Sequence, residues 1–139
     1  MDLAKKVVNK MMSGDAFSQW LGIEVLEIAT GFCKLQLKVR EEMTNGFDIA
    51  HGGIAYSLAD SCLAFAANSD GIQAVSIETS ISHTKKVVSG DILTATSKEI
   101  NKSSKTALYY ITITNQNNLE IAHFKGTVFR TEKEWFPKN

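Results

Sequence analysis

The segment Asn45 to Asn68 reads NGFDIAHGGIAYSLADSCLAFAAN and holds the residues best suited to chemistry. Gly52-Gly53 opens an almost wholly apolar stretch, and glycine at a helix start leaves backbone N–H groups open to an incoming oxygen. Asp60 stands alone among Leu58, Ala59, Cys62, Leu63 and Phe65, where an unpaired carboxylate is costly to bury. Its neighbours three and four residues away on a helix, Tyr56, Ser57, Leu63 and Ala64, bring no positive charge. Asp60 therefore calls for a raised pKa or a specific hydrogen-bond partner. Open amides and a stranded acid suit chemistry at a carbonyl, the amide holding the oxygen and the acid holding water.

Spacing refines that idea. Gly53 and Asp60 are seven residues apart, so on a helix they share a face but stand about 10 Å apart along the axis. An amide-held carbonyl oxygen and an acid-held water should both lie about 3 Å from one carbon. A single helix cannot easily serve both ends of one substrate. Two antiparallel helices from two subunits can, and a twofold dimer forms two such sites at once.

Other candidates are weaker. Gly52-Gly53 also fits the plainer role of a flexible start to a closely packed helix. His51, His83 and His123 show no metal-ligand spacing, so no metal site is expected. Cys62 reads as a small buried hydrophobe, and with Cys33 it makes no disulfide framework. Fifteen basic residues balance fifteen acidic ones, which argues against nucleic-acid or anionic-membrane partners. The N-terminus MDLAKKVVNKMM lacks a signal-peptide core, and no stretch would span a bilayer. A cytoplasmic protein is expected.

The elements that must position these groups follow from periodicity. Leu3, Val7, Val8, Met11 and Met12 predict a short amphipathic helix, and Asp15 is placed to cap a second turn to Trp20. Ile23 to Ile28 reads as a strand. After a turn at Ala29 to Gly31, Cys33, Leu35, Leu37 and Val39 alternate with polar residues, which predicts a half-buried strand. The helix from His51 to Ser69 is apolar nearly all round, the pattern of a helix enclosed by other structure. Strands are expected over Gln73 to Val87, Ile92 to Ile100, Thr106 to Thr114 and Leu119 to Thr131, with Val75, Ile77 and Ile81 sharing one face. One α+β domain over 1–139, a largely antiparallel sheet around one long central helix, accounts for this order.

At Asn45-Gly46, His51 to Gly53 and Ser57 to Asp60 the chain resembles the hotdog-fold acyl-CoA thioesterases of the PaaI, or phenylacetate-degradation, type. The resemblance runs from Leu21 to about Arg130 and implies hydrolysis of a small, medium-chain or aryl-acetyl CoA thioester. No separate cofactor is implied, since coenzyme A belongs to the substrate, and the expected assembly is a homodimer or a homotetramer of paired dimers. The Gly53 N–H would polarise the thioester carbonyl at the helix N-terminus. Asn45 would help hold that oxygen, His51 would shape the pocket, and Gly52 would line it. Asp60 of the opposite subunit would be general base or nucleophile, with Ser76 orienting the water. Ser82 to Lys86 departs from the usual pattern of an aromatic or aliphatic residue and a proline. Lys85 and Lys86 there are candidates for the CoA phosphates, though a lysine pair also suits plain solvated surface. Two alternatives share the fold: a non-catalytic acyl-CoA binding module, and a dehydratase or hydratase using His51 with Asp48.

Overall fold

A computed structural model describes residues 1–138. Two short helices, α1 (Leu3–Gly14) and α2 (Ala16–Trp20), precede the strands β1 (Glu24–Ala29) and β2 (Phe32–Lys38). After a 3-10 turn at Glu41–Met43 comes the long helix α3 (Gly52–Asn68). Four strands complete the chain: β3 (Ile72–His83), β4 (Ile92–Lys102), β5 (Thr106–Thr114) and β6 (Glu120–Glu134). The strands form one antiparallel sheet in the order β1-β2-β4-β5-β6-β3. This is the α+β hotdog arrangement, with α3 lying across strands β2 to β6. Among the described residues no helix is long and apolar enough to cross a membrane.

Local chemistry explains the elements. Asp2 caps α1 through the Lys5 N–H at 2.9 Å, and Asp15 caps α2 through the Ser18 N–H at 2.9 Å. On β2, Cys33, Leu35 and Leu37 point into the core as their alternation predicts. They meet Leu58, Ala59, Cys62, Leu63 and Phe65 of α3, with Leu93, Ile111, Ile113 and Phe124 closing the cluster. Gly126 on β6 lets the helix come close: a methyl group there would stand 2.5 Å from Leu63 Cδ2. Both cysteines are free and buried. Burial drives the Cys62 thiol pKa up, so it stays protonated and packs as a small apolar group.

Three expectations are corrected. The helix is not enclosed all round: Gly53, Ser57, Asp60, Ser61 and Ala64 form a half-covered stripe of small residues along α3. Nor do Val75 and Ile77 share a face with Ile81. They are 58% and 60% exposed, whereas Ile81 packs against the core. The reason is a β-bulge between Ser76 and Glu78 where β3 pairs with β6. The extra residue shifts the alternation by one, so Ser76 and Thr79 take the helix side. Thr79 Oγ1 is hydrogen-bonded to the Tyr56 hydroxyl of α3. The strand also stops at His83, short of Val87, because the N–H groups of Thr84 and Lys85 both turn to Ile121 O.

Candidate active site

The start of α3 is set by His51. Its backbone is extended (φ −58°, ψ 137°), and its Nδ1 accepts the Gly53 N–H at 3.0 Å. An accepting Nδ1 puts the ring proton on Nε2. The expectation that Gly53 offers an open amide is therefore corrected: the imidazole caps it. The open donor is the preceding amide, since the Gly52 N–H has no acceptor among the described residues. Gly52 lies against His83, whose Nε2 would be 3.3 Å from a methyl group built there.

Gly52 faces a cleft of about 160 Å³ whose lining includes Asn45, His51, His83, Lys85 and Lys86. Asn45 uses its Oδ1 on the Phe47 N–H at 2.9 Å, while its Nδ2 is not engaged by any of the described residues. The cleft thus gathers amide donors, two imidazoles and two ammonium groups. Asp48 sits in a tight turn with positive φ (62°) and makes no hydrogen bond to His51. The pair needed for hydration or dehydration of an acyl chain does not form.

Asp60 and Ser76 lie together in a second cleft of about 250 Å³ between α1, α3, β3 and β6. Among the described residues nothing hydrogen-bonds or ion-pairs with the Asp60 carboxylate. Burial raises its pKa, and the nearby negative charge of Asp15 adds to the shift. Asp15 is fixed by Ser18, whose hydroxyl donates to Asp15 Oδ2 at 2.6 Å and lies 2.8 Å from Ser61 Oγ. A half-exposed acid with a raised pKa and free lone pairs can take a proton from water or attack a carbonyl itself.

One protomer therefore gathers Asn45, His51, Gly52, Lys85 and Lys86 in one place and Asp60 with Ser76 in another. Gly53 stands at the edge of the first group, its amide held by His51. Asp60 belongs to the open stripe of α3, and of the first group His51 reaches the stripe's N-terminal end, lining a further cleft with Gly53 and Ser57. Sequence reasoning missed His83 and the reach of Asp15 to Asp60. The Asp15 cap was visible in the chain, but its effect depends on how α2 folds back on α3. Nothing in the spacing of His83 links it to Gly52; only the end of β3 does.

Comparison with known proteins identifies the family and the fold. The family model described as Thioesterase superfamily matches residues 47–122. The chain is 36% identical over 120 residues to the acyl-coenzyme A thioesterase PaaI of Escherichia coli, covering 86% of each protein. The structure of the E. coli PaaI protein from the phenylacetic acid degradation operon superposes with a TM-score of 0.92 at 34% identity, covering 94% of this chain and 95% of that one. A Streptococcus mutans protein, smu.793, solved bound to acetyl CoA, superposes with a TM-score of 0.78 at 27% identity, over 81% and 90% of the chains.

Proposed function

This chain belongs to the thioesterase superfamily, and from that premise we propose that it hydrolyses acyl-CoA thioesters at sites divided between two subunits. The observation that carries the reading is the separation of the two clefts along one helix. The Gly52 amide and the Asp60 carboxylate belong to different clefts of one protomer, Asp60 on the half-covered stripe of α3 and Gly52 next to its first residue, Gly53. A second α3 packed antiparallel brings Asp60 of one protomer to Gly52 of the other. Small residues on that stripe permit close helix approach. The exposed Val75 and Ile77 on the unpaired β3 edge leave a surface for the same association.

In this mechanism the thioester carbonyl oxygen accepts the Gly52 N–H at the helix N-terminus. The helix dipole and Asn45 Nδ2 support it as negative charge develops. His51 keeps Gly53 capped and so holds the first turn in place. Asp60 of the partner takes a proton from water held with Ser76, and the water oxygen attacks the carbonyl carbon. Collapse of the tetrahedral species expels the CoA thiolate and leaves the free acid. Direct attack by the Asp60 carboxylate is the variant of this step, passing through an anhydride that water then opens. Lys85 and Lys86 place positive charge where the CoA phosphates enter. A homodimer is the smallest active unit, and a dimer of dimers is the expected larger assembly.

The test is thiol release across a panel of acyl-CoAs by the wild type and Asp60→Asn. Loss of a general base lowers turnover by about 10²–10⁴-fold. Unchanged turnover removes Asp60 from the reaction, and tight acyl-CoA binding without thiol release by the wild type points to a binding module. Division of the site is tested by mixing Asp60→Asn with Gly52→Pro subunits. Each mixed dimer keeps one intact Gly52–Asp60 pair, so activity returns; verified mixed dimers without activity contradict the shared site.

A further inference from the structure

Taking the thioesterase reading as its basis, we propose that Met11 of α1 sets the length of acyl chain accepted, by closing the far end of an apolar channel behind Asp60. In that reading the thioester carbon lies between the Gly52 cleft of one protomer and the Asp60 cleft of the other. The lysines and amides of the Gly52 cleft suit the phosphates and pantetheine of CoA. The acyl group is left to the Asp60 side. There the 250 Å³ cleft is walled by Leu63, Ala64, Ala74, Val75 and Val128, and α1 contributes only Met11.

Beyond Asp60 and Ser76, which this reading gives to the attacking water, the one polar residue on that wall is Asn68, and it offers an acyl chain nothing. Asn68 Nδ2 donates to Ala64 O at 2.8 Å and Ala74 O at 3.1 Å. Its Oδ1 accepts from Ala74 N at 2.9 Å and Trp135 Nε1 at 2.8 Å. Two donors and two acceptor positions are thereby used up. A polar or charged acyl terminus would be stripped of water there without compensation, so the channel takes an unsubstituted hydrocarbon.

The same C-terminal residues hold both ends of this wall. Trp135 binds Asn68, and its own N–H bonds Gly71 O at 2.8 Å. Next to it, the Phe136 ring receives Lys6 Nζ at 4.3 Å and Lys10 Nζ at 5.0 Å from α1. Met11 is thus a flexible side chain on a fixed helix, which adapts to chains that fit and blocks those that do not.

The experiment measures kcat/KM for straight-chain acyl-CoAs from acetyl upward in wild type, Met11→Ala, Met11→Trp and Met12→Ala. Each buried methylene contributes roughly fourfold. Met11→Ala, which removes three heavy atoms, should move the preferred length up by two or three carbons, favouring long chains by about tenfold or more. Met11→Trp should depress the longest substrates by a similar factor and spare acetyl-CoA. Met12→Ala removes the same atoms from the same helix but does not line the cleft, so its length profile should match wild type. A wild type that releases no thiol from any substrate overturns the thioesterase reading itself. An active wild type whose profile is unmoved in both Met11 variants, or is moved equally by Met12→Ala, overturns the role of Met11 alone.

Discussion

Replacing Gly52 by proline removes one N–H and puts a ring carbon in its place, with little other demand on the fold. Gly52 is the first residue of α3, the helix position where proline is best tolerated. The residue before a proline must be extended, and His51 already has ψ 137°. The Gly52 N–H makes no hydrogen bond among the described residues, so its loss breaks none. Of the three ring carbons proline adds, Cβ meets His83 Nε2 at 3.3 Å, a contact the exposed His83 side chain relieves by a few tenths of an ångström. Because proline also restricts the unfolded chain, stability should change by less than about 1 kcal/mol in either direction. Catalysis should respond differently. Loss of one preorganised donor to a developing oxyanion costs about 2.7–4 kcal/mol, or 10²–10³ in kcat. Gly52→Ala adds the same Cβ but keeps the N–H, so the ratio of kcat between the alanine and proline variants reads the loss of the donor together with the ring carbon that takes its place. Thiol-release kinetics on one acyl-CoA, with thermal unfolding as the structural control, supply both numbers. Equal kcat in the two variants would refute the role given to Gly52 and return attention to the Gly53 amide behind His51.

Asp15→Asn keeps an oxygen to cap α2 but removes the charge that adds to burial in raising the Asp60 pKa. Turnover requires ionised Asp60, so the acidic limb of the kcat/KM profile should move to lower pH; an unmoved limb uncouples the two acids. The same raised pKa means that ionising Asp60 weakens the fold as pH rises through its folded-state value. Asp60→Asn should therefore melt higher than wild type at pH 7 but not near pH 3, and a lower melting temperature at pH 7 would contradict this. Gly126→Ala should cost about 1–3 kcal/mol by crowding Leu63. In a Leu63→Ala background that penalty should largely vanish, and an equal penalty by urea unfolding in both backgrounds would show that the close approach is not the cause. Burial pushes the Asp70 pKa up, but hydrogen bonds from Lys102, the Ile72 amide and Arg130 outweigh it and hold it below the ordinary carboxylate value. Asp70 thus stabilises the fold above its unfolded pKa, and that stability is lost as pH falls through the lowered one. Arg130→Gln should raise the pH of acid unfolding, followed by circular dichroism.

What could be read from the chain was what depends on local pattern. The Cys33–Val39 alternation, the cap at Asp15 and the long apolar helix each follow from neighbours within a few residues. The solitary position of Asp60 likewise announced its raised pKa. Features set by distant contacts were hidden. The bulge at Ser76–Glu78 exists only because β3 must follow β6, and it alone turns Ser76 toward Asp60. Periodicity without that partner places Val75 and Ile77 on the wrong face. The exchange of Gly53 for Gly52 as the open amide turned on a single imidazole rotamer, which no spacing encodes.

The strand order has a consequence for how the protein is made. β3 is the third strand in the chain but lies at the sheet edge, paired only with β6, the last. During synthesis from the N-terminus, β1, β2 and β4 can pair as they emerge. β3, with its two exposed apolar residues, waits unpaired on both sides until residue 120 onward is available. The bulge, the placement of Ser76 and the back of the Asp60 cleft all form at that final closure. A ribosome-bound chain stopped before β6 should hold much of its sheet and its long helix, yet lack a finished Asp60 cleft and present a bare, sticky strand to every neighbour.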